Sequence, residues 1–98
     1  MPAYVIVEIE QVTDPEILDR YRTIAAASVA KHGGRYLVRG GKPETLEGNW
    51  TPSSMVVLEF PSTERAREWY HSADYAPALE IRHRAGPRKL VIVEGVPD

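Results

Sequence analysis

Ala3-Tyr4-Val5-Ile6-Val7-Glu8-Ile9-Glu10 is dense in β-branched residues and reads as a strand. Ala3, Val5, Val7 and Ile9 share one wholly apolar face, while Tyr4, Ile6, Glu8 and Glu10 share the other. Both faces begin apolar, which predicts a strand covered on both sides. Thr13-Asp14-Pro15-Glu16 comes next and reads as a helix start. Asp14 can cap free amides, and Pro15 suits the first helical position, where no donor is required. Leu18, Tyr21, Ala25, Val29 and His32 then recur at helical spacing. Gly33-Gly34 closes that helix, because glycine tolerates the left-handed conformation of a C-terminal cap.

Outward from this unit the pattern repeats with different residues. Arg35 to Arg39 reads as a second strand. Gly40-Gly41 is expected to bend or bulge it, and Lys42 to Glu47 to continue it. Gly48-Asn49-Trp50-Thr51-Pro52 has the composition of a turn. Ser54 to Phe60 is a third strand, with Val56, Leu58 and Phe60 on one face and Met55, Val57 and Glu59 on the other. Pro61-Ser62-Thr63-Glu64 opens a second helix carrying Ala66, Trp69 and Tyr70. Pro77 opens a short third helix, stopped by Gly86-Pro87. Lys89 to Glu94 is the last strand.

The order β-α-β-β-α-β is the split motif of the ferredoxin-like α+β fold. It predicts a four-stranded antiparallel sheet in the order 4-1-3-2 with the helices on one face. Tyr4, Ile6, Met55, Val57, Leu90 and Ile92 are then expected on the uncovered face. An apolar patch of that size is not left in water. Two sheets packed face to face would cover it, giving a homodimer of the dimeric α+β barrel type.

Composition narrows the function classes. The chain has 98 residues, so residues 1–98 are expected to form a single domain. Hydrophobic residues are 43% and charged residues 27%, values of an ordinary globular protein. The absence of cysteine excludes a disulfide framework, an iron–sulfur cluster and a thiol nucleophile. The net charge is −2 and no basic run interrupts it, so no nucleic-acid partner is expected. No apolar run approaches the roughly 20 residues of a membrane span, and no signal peptide is visible. A cytoplasmic protein without a membrane partner is the expectation.

Nearly the whole chain resembles the DUF1330 family, small bacterial proteins of unknown function. The resemblance rests on Tyr4 to Ile9 with Thr13-Asp14-Pro15-Glu16, on Lys31-His32-Gly33-Gly34-Arg35-Tyr36-Leu37-Val38-Arg39-Gly40-Gly41, and on Leu46-Glu47-Gly48-Asn49-Trp50. Glu59-Phe60-Pro61-Ser62, Trp69-Tyr70-His71-Ser72 with Tyr75, and Arg82 extend it. It implies the dimeric α+β barrel superfamily, whose members include cofactor-free monooxygenases, haem-degrading enzymes, lactone isomerases and dehalogenating proteins. No catalytic residue of the family comes with it.

The polar residues offer several candidates. Glu59 and Glu94 end their strands with Tyr4 between them, and Arg35 is placed to pair with Glu59. Two carboxylates and a phenol can do acid–base work, or they can form a salt-bridged rim. Arg39 offers a two-pronged grip on a carboxylate if it faces inward, and guards an edge strand if it faces out. His32 is a base by its ordinary pKa, or a helix-end histidine favoured by the dipole. Tyr70 is a candidate donor. The candidate catalytic set is therefore His32, Arg39, Glu59 and Tyr70. Trp50 in its turn could lid a pocket or anchor the hairpin across a dimer, and Trp50, Tyr75 and Arg82 form the candidate ligand-binding set. Strand alternation predicts that Arg39 and Glu59 point away from the helices. Helical phase predicts that His32 and Tyr70 point between helices and sheet. The histidines follow no ligand spacing, so no metal is expected, and no phosphate loop, nucleophile elbow or dinucleotide fingerprint implies a cofactor. The expectation is a metal-free enzyme acting on a small hydrophobic metabolite, or a non-catalytic binding or structural module.

Overall fold

The computed structural model describes residues 1–97. Along the chain lie β1 (Ala3–Ile9), α1 (Pro15–Lys31), β2 (Arg35–Gly41), β3 (Ser54–Phe60), α2 (Thr63–Tyr70), α3 (Ala76–Ala85) and β4 (Arg88–Glu94). The strands form one antiparallel sheet in the order β2-β3-β1-β4. This is the predicted 4-1-3-2 arrangement, viewed from the other edge.

The first helix starts as its sequence requires. The Asp14 side chain accepts from the Ile17 amide at 3.3 Å, and Pro15 occupies the first turn. Gly33 takes a φ of 81° just past the helix. Gly34 is needed for a different reason. A Cβ there would lie 2.6 Å from the Phe60 ring and 2.8 Å from Val29, so the chain leaves α1 pressed against the core. At the far end Gly86, with a φ of 132°, brings α3 into β4, where a Cβ would meet the Gln11 carbonyl oxygen at 1.9 Å.

The core lies between the helices and one face of the sheet. Ala3, Val5, Val7, Ile9, Leu58 and Phe60 supply the sheet side. Leu18, Tyr21, Ala25 and Val29 come from α1, Ala66 and Trp69 from α2, and Ala78 and Ala85 from α3. Each fully buried aliphatic or aromatic side chain contributes about 1.5–3 kcal/mol. Trp69 is buried and still satisfied: its indole N–H donates to Ser28 Oγ at 2.9 Å, and Ser28 donates to the Ala25 carbonyl at 2.8 Å.

Two strands face differently from the expectation. In β4, Ile92 pairs with Val5 and Leu90 with Val7, so Leu90 and Ile92 face the helices. Val91 and Val93, opposite Ile6 and Tyr4, take the uncovered face that alternation had assigned to Leu90 and Ile92. Leu90-Val91-Ile92-Val93 is apolar at every position, so its pattern carries no phase. Neighbour register sets it instead. In β2, Tyr36 pairs with Leu58 and Val38 with Val57, leaving Leu37 as an extra residue. A second irregularity separates Arg39 from Gly41, where a glycine bulge is expected. The bulge at Leu37 reverses the facing of the residues after it. Val38 thus faces away from the helices, and Arg39, opposite Val56, faces them. The strand ends at Gly41, and Lys42 to Glu47 do not extend it.

Candidate functional site

The turned Arg39 brings a charge to the helix side, where the chain forms a cavity between α1 and the sheet. Its volume is about 40 Å³, room for about three waters. Leu18, Tyr21, Arg22 and Ala25 descend from α1. Val7, Ile9, Tyr36, Arg39, Val56, Leu58 and Arg88 rise from the sheet, and Trp69 closes one side. The walls are mostly apolar, yet three arginines take part in them. Among the described residues no carboxylate lines the cavity.

Each arginine has a local reason for its place. Arg88 opens β4 opposite the buried Ile9, so its side chain starts on the helix face. Its guanidinium lies 4.4 Å from the centre of the Tyr21 ring. Such stacking attracts a cation to the ring face but leaves the in-plane N–H groups unanswered. Arg88 Nε is buried with no hydrogen-bond partner among the described residues. Arg39 lies 4.3 Å over the Tyr36 ring. Arg22 leans outward, with Asp19 at 4.0 Å. Burial pushes the Tyr36 phenol above its ordinary value, against the pull of Arg39, so it stays protonated at neutral pH.

Behind the cavity Tyr21 and Tyr75 share a hydrogen bond of 2.6 Å between their hydroxyls. Tyr75 is wholly buried, and its ring stacks against Trp69 at 4.3 Å and Tyr70 at 5.7 Å. Burial, reinforced by Tyr21, raises the Tyr75 phenol far above its ordinary value. Arg82 acts on Tyr75 only as a nearby positive charge that opposes this shift.

The four residues considered together as a catalytic set do not meet. Arg39 lines the cavity, on the side opposite to the one expected for it. Glu59 lies on the uncovered sheet face in register with Tyr4, as alternation predicts, and its carboxylate accepts from Arg35 Nε at 2.7 Å. Glu94 is in register with Ala3, on the opposite face, so the two carboxylates flanking Tyr4 do not form a cluster. Tyr70 is half-buried in a separate apolar groove with Val5, Leu90, Val91 and Ile92. His32 does not enter the space between helices and sheet. It comes directly after the last residue of α1, where helical phase no longer applies, and its Nε2 lies 3.1 Å from Asp74 Oδ2. Lys31 Nζ donates to the other oxygen of Asp74 at 3.0 Å, and the two contacts tie α1 to the α2–α3 connection. Trp50 is half exposed, and its indole N–H donates to Glu8 on the uncovered face at 2.8 Å. No group of three or more His, Cys, Asp or Glu residues is placed to hold a metal among the described residues. No helix among them is long and apolar enough to cross a membrane.

Tyr21, Arg22, Tyr36 and Arg88 escaped the reading of the sequence. Tyr21 carried the one available signal, since a phenol on an apolar helical face needs a partner for its hydroxyl.

Sheet order, helix placement and core together define a ferredoxin-like protein. The chain belongs to the family described as Domain of unknown function (DUF1330), which it matches over residues 2–96. A protein of unknown function from Rhodopseudomonas palustris has the same fold, with 17% identity, a TM-score of 0.72, and 99% of this chain and 84% of that one covered. A dimeric ferredoxin-like protein of unknown function from Jannaschia sp. has 14% identity and a TM-score of 0.70, covering 97% of this chain and 100% of that one. A candidate antibiotic biosynthesis monooxygenase from Nitrosomonas europaea has 16% identity and a TM-score of 0.55, covering 97% of this chain and 90% of that one. No curated protein matches the chain in sequence.

Proposed function

We propose that the protein is a single-domain homodimer that binds a small apolar acid in the cavity between α1 and the sheet. The observation that carries this reading is the buried Arg88 Nε without a partner among the described residues, at an apolar cavity lined by three arginines and, among those residues, no carboxylate. Leaving a charged donor buried and unanswered is costly, and a carboxylate answers it with a charge-assisted bond. The cavity volume suits a compact ligand of about six non-hydrogen atoms, taking roughly 30 Å³ for each water it would replace. The dimer is supported by the apolar uncovered face and by the dimeric relative from Jannaschia sp..

Turnover of that acid is a second reading. It is favoured by the two phenols, Tyr21 and Tyr36, that line the cavity, and by the monooxygenase candidate of the same fold. Fold alone does not carry an activity across, however. His32, Glu59 and Tyr70 would need a different site to take part.

The test is a titration of isotopically labelled protein, monitored by NMR, with isobutyrate and with its neutral isostere isobutyramide. Isobutyrate is expected to shift cavity amides with millimolar or tighter affinity, at least about tenfold tighter than the amide, as hydrogen bonds to charged groups require. Equal binding of the two, or no binding of either, overturns the acid reading.

A further inference from the structure

The paired hydroxyls of Tyr21 and Tyr75 hold two protons and share one hydrogen bond, 2.6 Å long. Neither hydroxyl makes another hydrogen bond among the described residues. One of the two protons is thus left without an acceptor, and the surroundings decide which one. Tyr75 is 0% exposed and does not line the cavity. If Tyr21 donated to Tyr75, the Tyr75 proton would be stranded in the core, which costs free energy with nothing to offset it. Tyr21 does line the cavity and keeps 8% of its surface exposed, so of the two hydroxyls its own has the nearer route to water or a ligand.

We infer that Tyr75 donates to Tyr21, and that the Tyr21 hydroxyl thereby becomes a neutral donor for the carboxylate bound beside Arg88. This rests on the acid reading of the cavity and adds a binding residue to it. The Arg88 guanidinium lies over the Tyr21 ring at 4.4 Å, so a charged donor and a neutral one are held next to each other. A carboxylate has two oxygens and about four lone-pair sites, enough for both. A ligand oxygen that is itself protonated accepts more weakly there than a carboxylate oxygen, which gains a charge-assisted bond. Tyr75 is a positioning residue: by donating to Tyr21 it leaves the Tyr21 proton free for the cavity.

Two measurements test the inference. In the free protein, tyrosine labelled at Cζ and dissolved in mixed light and heavy water reports hydroxyl exchange residue by residue. Tyr75 is expected to show two resolved signals, from a slowly exchanging proton, and Tyr21 a single averaged one. A slowly exchanging Tyr21 hydroxyl overturns the direction of the pair, and this measurement needs neither a variant nor a ligand. In the second, isobutyrate affinity is measured for the unaltered protein and for Tyr21→Phe and Tyr75→Phe. Tyr21→Phe is expected to weaken binding about three- to tenfold, the range for one neutral hydrogen bond, and Tyr75→Phe less than about twofold, since Tyr21 keeps its own proton. Unchanged affinity in Tyr21→Phe overturns the donor role. Failure of the unaltered protein to bind isobutyrate overturns the acid reading itself, while the exchange measurement still decides the direction of the pair.

Discussion

Arg88 is where a single side chain carries the most consequence. Its Nε is buried without a partner among the described residues, and its removal has opposite effects on binding and on stability. Arg88→Met keeps the long stem and drops the charge, so the apolar walls close with no orphaned donor. Isobutyrate affinity is expected to fall about 10- to 100-fold, as for a lost bond to a charged donor. Thermal stability is expected to hold or rise, because the variant removes a buried donor that has no partner among the described residues. A variant that binds normally, or that unfolds early, contradicts this account. Asp74 makes a separate prediction. Hydrogen bonds from Lys31 and then His32 hold its carboxyl below the ordinary 3.8. A carboxyl depressed in the folded state stabilises above its unfolded pKa and loses that contribution as pH falls through the folded one. The stability gap between the unaltered protein and Asp74→Asn should therefore be full near neutral pH and close as pH falls below about 4. Chemical denaturation across that range measures it. A gap that widens on acidification has the wrong sign.

At the scale of elements, β2 shows how one extra residue makes a site. With Leu37 as a bulge, Arg39 stands opposite Val56 on the helix face. Deleting Leu37 lets Tyr36, Val38 and Arg39 pair continuously with Leu58, Val57 and Val56, so the bulge is lost while Arg39 keeps the helix face. That variant is expected to fold with the same helix content, by circular dichroism, and to bind isobutyrate within about twofold of the unaltered protein, since one neutral hydrogen bond lost would already cost more. A loss of affinity with helix content kept would mean that the bulge itself, and not the facing of Arg39 alone, shapes the cavity. The same strand marks the limit of what the sequence discloses. Alternation along β1 and β3 was legible because each mixes apolar with polar or charged positions: Glu8 and Glu59 fall on the uncovered face, as their spacing predicts. The helix starts were legible because capping residues act locally, Asp14 on the Ile17 amide and Ser62 on the Arg65 amide. The bulge at Leu37 leaves no such trace, since it arises from how β2 meets β3, and a paired glycine advertised only the later one. The phase of β4 was hidden for a different reason. Its run of aliphatic residues fits either face until Val5 and Val7 select Ile92 and Leu90. Both misreadings fall on the cavity side of the sheet. The candidate site was accordingly legible in its residue types, an arginine clamp among phenols, and illegible in which arginines and which phenols come together.

For the molecule as a whole, the uncovered face of the sheet sets the last prediction. Ile6, Val38, Val57, Val91 and Val93 lie on it, with Val91 58% and Val93 45% exposed. Strands about 4.8 Å apart with a rise of about 3.3 Å per residue make a four-stranded, seven-residue face of roughly 19 by 23 Å. Two such faces in contact bury on the order of 900 Å², short of the roughly 1,600 Å² of a standard stable interface. The sheet therefore needs help from its margins. The segment between β2 and β3 is placed to give it. Leu46 is 87% exposed and Trp50 51%, and the Trp50 indole is pinned to Glu8 on the same face. Trp is among the residue types that most often dominate association once a partner buries them. The expected assembly is a dimer at micromolar concentration in which both sheet faces and both segments take part. Val57 lies between Ile6 and Val38 at the middle of the face. Val57→Asp places an unpaired charge at the centre of that contact, which no rim substitution does. It should give monomer or aggregate in sedimentation velocity, while Trp50→Ala weakens the dimer without abolishing it. A stable monomer of the unaltered protein removes the reason for the apolar face. A dimer insensitive to Val57→Asp would mean that the copies meet elsewhere, with the exposed edge of β4 and its Tyr70 groove the next surface to test.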